Sequence, residues 1–421
     1  MKKFLALLLA LVMVLALVAC GDAAKEETKP AEEAAPAQPA EEKKEEEKPA
    51  EEAAPAGDFK VGVILLHNDQ IGYDAAHMEG IKAAQKALGL SDDQIVWKYD
   101  VPEDQKCYDA AVDFAEQGCN LIIADSFGHE TYLAQAAAEY PDIEFIHATG
   151  TTAANAGLAN FHNYFTKIFQ SRYVSGVVAG MKLKELMDAG TVTDPYIGYV
   201  GAFPYAEVIS GYTSFFLGVQ SIVPEAHMDV TFTNSWADQT AEQAAAEALI
   251  SRGCVIISQH ADTTGAPTAV QAALDSGKTV YCVGYNVDML VAAPTAALTS
   301  AQNNWGVLYT NIIGAALNGE EIPANSSVGY DENGVMISAL GPSCAAGTAE
   351  KVKEVEAAIA SGELKVFDTA TWTVEGKNLD SYDKSFGFEG TELIWDGFFH
   401  ESEIISAPLF DIGIDGITKL N

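Results

Sequence analysis

FKVGVILLHNDQIGYDAAHMEGIKAAQKALGLSDDQIVWKYDV, residues 59–101, contains one full unit of the pattern that decides the fold. A continuous apolar run, FKVGVILL, precedes a helical pattern, DAAHMEGIKAAQKALG, and a second strand-like run, IVWKYDV. A strand that is apolar without alternation is buried on both faces, as parallel strands between helices are. The unit continues through YDAAVDFAEQG, NLIIADS, ETYLAQAAAEYP and IEFIHATG, and LANFHNY closes the set. A long helix, YVSGVVAGMKLKELMDAG, leads into a second set of strands: YIGYVG, DVTFTNS, VIISQH and TVYCVGYN. The helices EVISGYTSFFLGVQS, TAEQAAAEALISRG and APTAVQAALDSG separate these strands. The alternation occurs twice, so the sequence predicts an α/β protein of two doubly wound lobes joined by crossovers. The first lobe is expected over 58–164 and the second over 165–289. ALTSAQNN and the helix WGVLYTNIIGAALNG are expected to return to the first lobe as segment 290–325. Residues 326–421 include a helical AEKVKEVEAAIASG and a Trp- and Gly-containing tail without an assigned place.

Outward from this body, residues 1–20 join two lysines to an apolar run ending LVAC. That is a secretory signal, and the run is short of the roughly 20 residues of a membrane helix. A cysteine at the cleavage point makes it a lipobox, so Cys20 is expected to become the acylated first residue of a membrane-tethered protein. Residues 21–57 are almost entirely Ala, Glu, Lys and Pro and bury too little to order themselves, so they read as an acidic, solvated stalk. The net charge of −36 over 421 residues argues against nucleic acid or an anionic surface as partner. Cys107, Cys119, Cys254, Cys282 and Cys344 form no CxxC and no Cys/His metal spacing. They read mainly as small buried hydrophobes, with a disulfide still open.

Ligands of open α/β sheets bind beyond the carboxyl ends of the strands. Those ends carry Tyr73 after FKVGVILL, Ser126 and Phe127 after NLIIAD, Trp236 after DVTFT, and Asp262 after VIISQ. Tyr285, Asn286 and Asp288 follow TVYCVG. Aromatic rings from two lobes suit a flat heterocycle, since stacking contributes roughly 1–3 kcal/mol per base. Carboxylates can accept from ring N–H or exocyclic amino groups, at about 1.5–3 kcal/mol per charged bond. Each residue also has an ordinary explanation: loop packing for Trp236, a local hydrogen bond for His260, and a helix N-cap for Asp238, which is the preferred reading there.

The series FKVGVILLHNDQIGY, NLIIADSFG, FIHATG, RYVSGVVAG, IGYVGAFP-x-x-EV, SWAD, ISQHAD and VGYNVDM resembles the basic membrane lipoprotein family, solute-binding lipoproteins of ABC importers, in order and spacing over roughly 58–320. The purine-binding branch is the nearest match. The resemblance implies a type I periplasmic-binding-protein fold of two Rossmann-like lobes with a hinge. It places Tyr73 and Trp236 as the aromatics that sandwich the base, Asp262 as the acid on the base edge and Phe127 as a cleft wall. Asn286 stands where the nucleoside-binding branch has aspartate, Tyr73-Asp74 replaces Phe-Asn, and LTSAQNNW lacks an expected lysine, which favours a free base over a nucleoside.

The expected function is therefore that of a lipid-anchored, monomeric receptor outside the cell, passing a purine-like small molecule to an ABC permease. No cofactor or metal is implied. No GxSxG, HExxH, Walker A or GxGxxG motif occurs, so catalysis is not expected. The alternatives are a nucleoside or flavin-like ligand, a sensor serving a membrane kinase, and a nucleoside hydrolase using Asp262 or Asp288.

Overall fold

A computed structural model describes residues 57–421. The signal, Cys20 and nearly all of the stalk lie outside the described residues. The first half runs β1 (Val61–Ile64), α1 (Gly72–Leu88), β2 (Ile95–Lys98), α2 (Gln105–Glu116), β3 (Leu121–Ala124), α3 (Glu130–Glu139), β4 (Glu144–Ala148) and β5 (Phe161–Thr166). Strands β2-β1-β3-β4-β5 are adjacent and parallel. Successive side chains divide between the two faces: Val61, Val63, Leu121 and Ile123 join one core cluster, and Ile64, Ile122 and Ala124 another. Both faces are dry, which is why the strands carry no polar alternation.

The second half runs α4 (Ile168–Asp188), β6 (Tyr196–Gly201), α5 (Ala206–Gln220), β7 (His227–Phe232), α6 (Gln239–Arg252), β8 (Ile256–His260), α7 (Gly265–Asp275), β9 (Tyr281–Tyr285) and β10 (Ala297–Asn303). Helices α4 and α5 cross almost backbone to backbone. A Cβ on Gly176 would lie 2.1 Å from Phe215 O, and one on Gly218 would lie 2.1 Å from Tyr173 O. Asp238 caps α6 by accepting from Ala241 N at 2.9 Å, as preferred from the sequence.

Segment 290–325 does not return to the first lobe as a whole. Strand β10, which contains ALTSAQN, pairs in parallel with β9 in the second sheet. Its residues Ala297–Ala301 are buried there, so the apolar run that looked like a returning strand serves the second core. Only α8 (Trp305–Asn318) and β11 (Asn325–Val328) cross back, with α8 against α1 and β11 beside β5. Trp305 reaches its place because Gly80 of α1 has no side chain: a Cβ there would sit 2.3 Å from Trp305 Cβ.

Residues after β11 belong almost wholly to the second lobe. Strand β12 (Val335–Ile337) runs antiparallel to β10, and α9 (Thr348–Ala360) packs on α4. The hairpin β13 (Ile394–Trp395)–β14 (Phe398–Phe399) adds Phe399 to a cluster with Phe367, Phe410 and Phe169 of α4. Strand β15 (Ile417–Lys419) then pairs in parallel with β7, and the Asn421 amide side chain bonds both Phe232 N and Phe232 O. Buried Glu401 holds this tail to α5: one oxygen accepts from Leu409 N and Phe410 N, the other from Ser210 Oγ. Ser406 also bonds Asn325 of the first lobe.

Three connections link the lobes and lie side by side. Lys167 N bonds Val328 O at 2.8 Å, Thr166 Oγ1 bonds Asn303 Oδ1, and Tyr330 N bonds Gln170 Oε1 at 2.8 Å. The five cysteines of the body are free thiols, four of them buried, and burial pushes the Cys107, Cys119, Cys254 and Cys282 thiols up.

Candidate functional site

A cavity lies between the lobes at the carboxyl ends of their strands. The first lobe contributes Leu66, His67, Tyr73, Asp74, Ser126, Phe127 and Thr149, and the second Glu207, Trp236, His260, Asp262 and Tyr285. Six of the residues singled out from sequence therefore meet in one place: Tyr73, Ser126, Phe127, Trp236, Asp262 and Tyr285.

Tyr73 sits in the first turn of α1, with its hydroxyl donating to Asp125 O at 2.9 Å and its ring edge-on to His77 at 4.4 Å. It rests on Trp305 through His77, whose ring stacks on the indole at 4.1 Å. Burial pushes the phenol well up, and Glu207 across the cleft is the next contributor. Trp236 belongs to the loop after β7 and touches Phe203 and Tyr205, with ring centroids 5.0 and 6.1 Å away. It is half-buried, so packing within its own lobe leaves part of the indole uncovered.

Asp262 ties these two positions together through the backbone. Its N–H donates to Trp236 O at 2.9 Å, and its carbonyl accepts from Gly72 N, the neighbour of Tyr73, at 3.1 Å. A Cβ on Gly72 would approach that carbonyl to 3.1 Å, so glycine permits the close passage between lobes. The Asp262 carboxylate accepts from Asn286 Nδ2 at 3.0 Å. Burial lifts its pKa well above the carboxylate range, helped by Glu242, Asp74 and Glu207 and opposed by Arg172. A second contact between lobes is the stack of Phe127 on Tyr205, at 5.2 Å and 25°.

Asn286 and Asp288 lie outside the cavity lining. Asn286 stands behind Asp262 with φ 62°, a left-handed conformation that asparagine tolerates, and its side-chain carbonyl accepts from Asn303 Nδ2. It orients the acid and does not line the cavity. Asp288 caps the single turn Met289–Val291, accepting from Leu290 N at 3.0 Å. Its carboxylate serves the turn, and the loop aspartate that suggested a ligand contact is a local cap.

Six lining residues went unremarked as ligand positions in the sequence: Leu66, His67, Asp74, Thr149, Glu207 and His260. Asp74 is buried and accepts from His67 N at 2.7 Å and approaches His67 Nδ1 at 3.2 Å. Glu207 opens α5, and its Oε1 lies 3.2 Å from His260 Nε2. Burial pushes Glu207 up to about 7 against the pull of Arg172, while burial and Arg172 hold His260 well below the usual histidine value. His260 is thus neutral, and Nε2–H is the tautomer that can donate to Glu207. Arg172, fully buried in α4, stacks on Tyr285 at 3.6 Å and donates to Gln259 O at 2.6 Å. The signal for these residues was positional, each lying at a strand end, in the following loop or turn, or behind one; Thr149, Glu207 and His260 also fall within FIHATG, IGYVGAFP-x-x-EV and ISQHAD, and Asp74 follows Tyr73.

Chemically the cavity offers aromatic surface on both sides and a rim rich in acceptors. Among the described residues no group of three His, Cys, Asp or Glu side chains is arranged to hold a metal ion, and no helix is long and apolar enough to cross a membrane.

Comparison with known proteins gives a consistent family. The family described as ABC transporter substrate-binding protein PnrA-like matches residues 66–369. A purine-binding protein of Brucella abortus is 32% identical over 331 residues, covering 76% of this chain and 88% of the relative. A Haloferax volcanii protein provisionally named an ABC transporter glucose-binding protein is 31% identical, covering 66% of this chain and 67% of its own. Among solved structures, an ABC transporter solute-binding protein of Aeropyrum pernix superimposes with a TM-score of 0.63 at 18% identity, over 73% of this chain and 93% of that one. The fold is the type I periplasmic-binding-protein fold anticipated from the sequence.

Proposed function

The chain belongs to the PnrA-like family of ABC transporter substrate-binding proteins, and on that premise we propose that it closes its lobes on a purine base or related planar heterocycle and presents it to a membrane permease. Membership implies a small-molecule ligand, a permease partner and a place outside the cytoplasm. The observation that carries the ligand class is the convergence of Tyr73 and Trp236, from opposite lobes, on one cavity with Asp262 joined to both sides. The Brucella abortus relative, named for purine binding, supports the same reading.

Closure is a hinge motion about the three adjacent connections, driven by the ligand's preference for the closed arrangement. The acylated residue of the tether is Cys20 in this reading, on the strength of the lipobox. A thermal-shift screen of bases, nucleosides, flavins and glucose tests the proposal. Free bases should raise the melting temperature most, because a ligand held by the folded state alone stabilises it. A larger shift with glucose or a flavin, or none with any base, would reject it.

A further inference from the structure

We propose that Glu207, oriented by His260 and faced by buried Arg172, determines specificity by selecting planar heterocycles with an exocyclic amino donor over those that present a carbonyl at the same edge. The proposal rests on the base-binding reading above and names the substrate class of that site.

Three carboxyl groups line the cavity; Asp74 is engaged at both oxygens, and Asp262 and Glu207 at one each. Asp74 takes the His67 backbone N–H at one oxygen and approaches His67 Nδ1 with the other. Asp262 takes Asn286 Nδ2 at Oδ1. Glu207 meets the protein only through Oε1, which faces His260 Nε2 at 3.2 Å. The remaining oxygen of its carboxyl group has no protein partner and, like Asp262 Oδ2, stays open on the wall that carries Trp236.

No cationic side chain competes for that oxygen inside the cavity. Arg172 is not among the lining residues: its guanidinium lies against the Tyr285 ring at 3.6 Å, with Nη1 committed to Gln259 O. Its charge opposes, without contact, the burial that raises the Glu207 carboxyl to about 7. The position of His260 is fixed just as tightly. A Cβ on Gly211, one turn along α5 from Glu207, would come within 2.6 Å of His260 Nδ1. Glycine at 211 therefore lets the imidazole lie against the helix and reach the carboxylate.

A ligand edge bearing an amino group donates to the open oxygen. An edge bearing a carbonyl sets two lone pairs against each other in a site that water cannot enter freely, and a site built to bond one group rejects an analogue lacking it strongly. Recognition by shape and stacking alone would not distinguish the two.

The test is calorimetric titration at about pH 8.5, above the value of about 7 to which Glu207 is raised so that its carboxylate can only accept, with adenine, hypoxanthine and unsubstituted purine, for the natural protein and for Glu207→Gln. The natural protein should bind adenine at least tenfold more tightly than hypoxanthine. In Glu207→Gln, whose amide can donate to a carbonyl, that ratio should fall by tenfold or more, with unsubstituted purine changing less than threefold. The ratio is read on one sample, so an inactive fraction cancels. If the glutamine variant does not fold, Glu207→Asp, which withdraws the carboxylate, should lower the adenine preference in the same sense. A ratio unchanged by either variant, or all three bases weakened equally, would overturn the role of Glu207. Absence of base binding by the natural protein would instead remove the reading on which it rests.

Discussion

The two walls of the cavity are built differently. On the first lobe most polar side chains are already engaged: Tyr73 bonds Asp125 O, Ser126 bonds Glu103, and Asp74 holds His67, leaving Thr149 Oγ1 without a hydrogen-bond partner. Behind them His77 and Trp305 form a stacked, fully buried support. On the second lobe Trp236 is only half covered, Glu207 and Asp262 have raised pKa values, and Arg172 supplies charge without entering the cavity. The first wall is a finished surface. The second is incomplete without a partner, so substitutions there should weaken binding more than substitutions opposite.

The sharpest way to break this contrast is Trp236→Ala. It should weaken purine binding by more than about tenfold, as expected from the roughly 1–3 kcal/mol of one stacked base. The melting temperature of the ligand-free protein should hardly move, because the indole is only half-buried against Phe203 and Tyr205. A large loss of stability with affinity intact would make Trp236 a packing residue. Asp262→Asn comes next. Loss of that acceptor leaves a buried ligand donor unpaired, at about 1–3 kcal/mol, which should cost about tenfold in affinity, as calorimetry can read.

Acidity gives a third test, on stability instead of affinity. Glu207, Glu242 and Glu401, all in the second lobe, are each raised by burial from 4.5 to about 7. Between these values the folded protein binds more protons than the unfolded chain, so these groups make stability fall as pH rises through that window. The ligand-free melting temperature should drop by a few degrees between pH 5 and pH 7.5, and Glu401→Gln should flatten part of that slope. A profile that rises across the whole window would contradict the burial of these groups.

On the finished wall, Tyr73→Phe removes only the bond to Asp125 O. Affinity should change less than about threefold, with a stability loss of about 1 kcal/mol for one hydrogen bond. The smallest effect on binding is expected for Asp288→Ala. It should leave affinity unchanged and cost at most a cap, roughly 0.5–2 kcal/mol, by chemical denaturation.

The lobes were legible in the sequence because parallel strands buried on both faces leave unbroken apolar runs, and each such run from β1 to β9 is a strand. The destination of β10 was not. ALTSAQN carries the composition of either lobe, and only its pairing with β9 decides the matter. Within the site, aromatics at strand ends were visible because a large ring in a loop is unusual. Glu207 and Asp74 stood in stretches that carry the family resemblance but were not assigned ligand contacts, because an acid in the first turn of a helix has an ordinary explanation in the helix dipole. Asp288 shows the converse. It stood in the right loop but is occupied by a backbone N–H of its own turn.

Strand β15 and Asn421 pair with the strand that delivers Trp236, although the family match ends at residue 369. A version of the protein trimmed to that boundary would expose the open edge of β7 and uncover aromatic surface on α4. Unprotected edges invite chains to add to one another, so such a trimmed protein should precipitate or form aggregates on expression, and studies seeking a minimal receptor should keep the final strand.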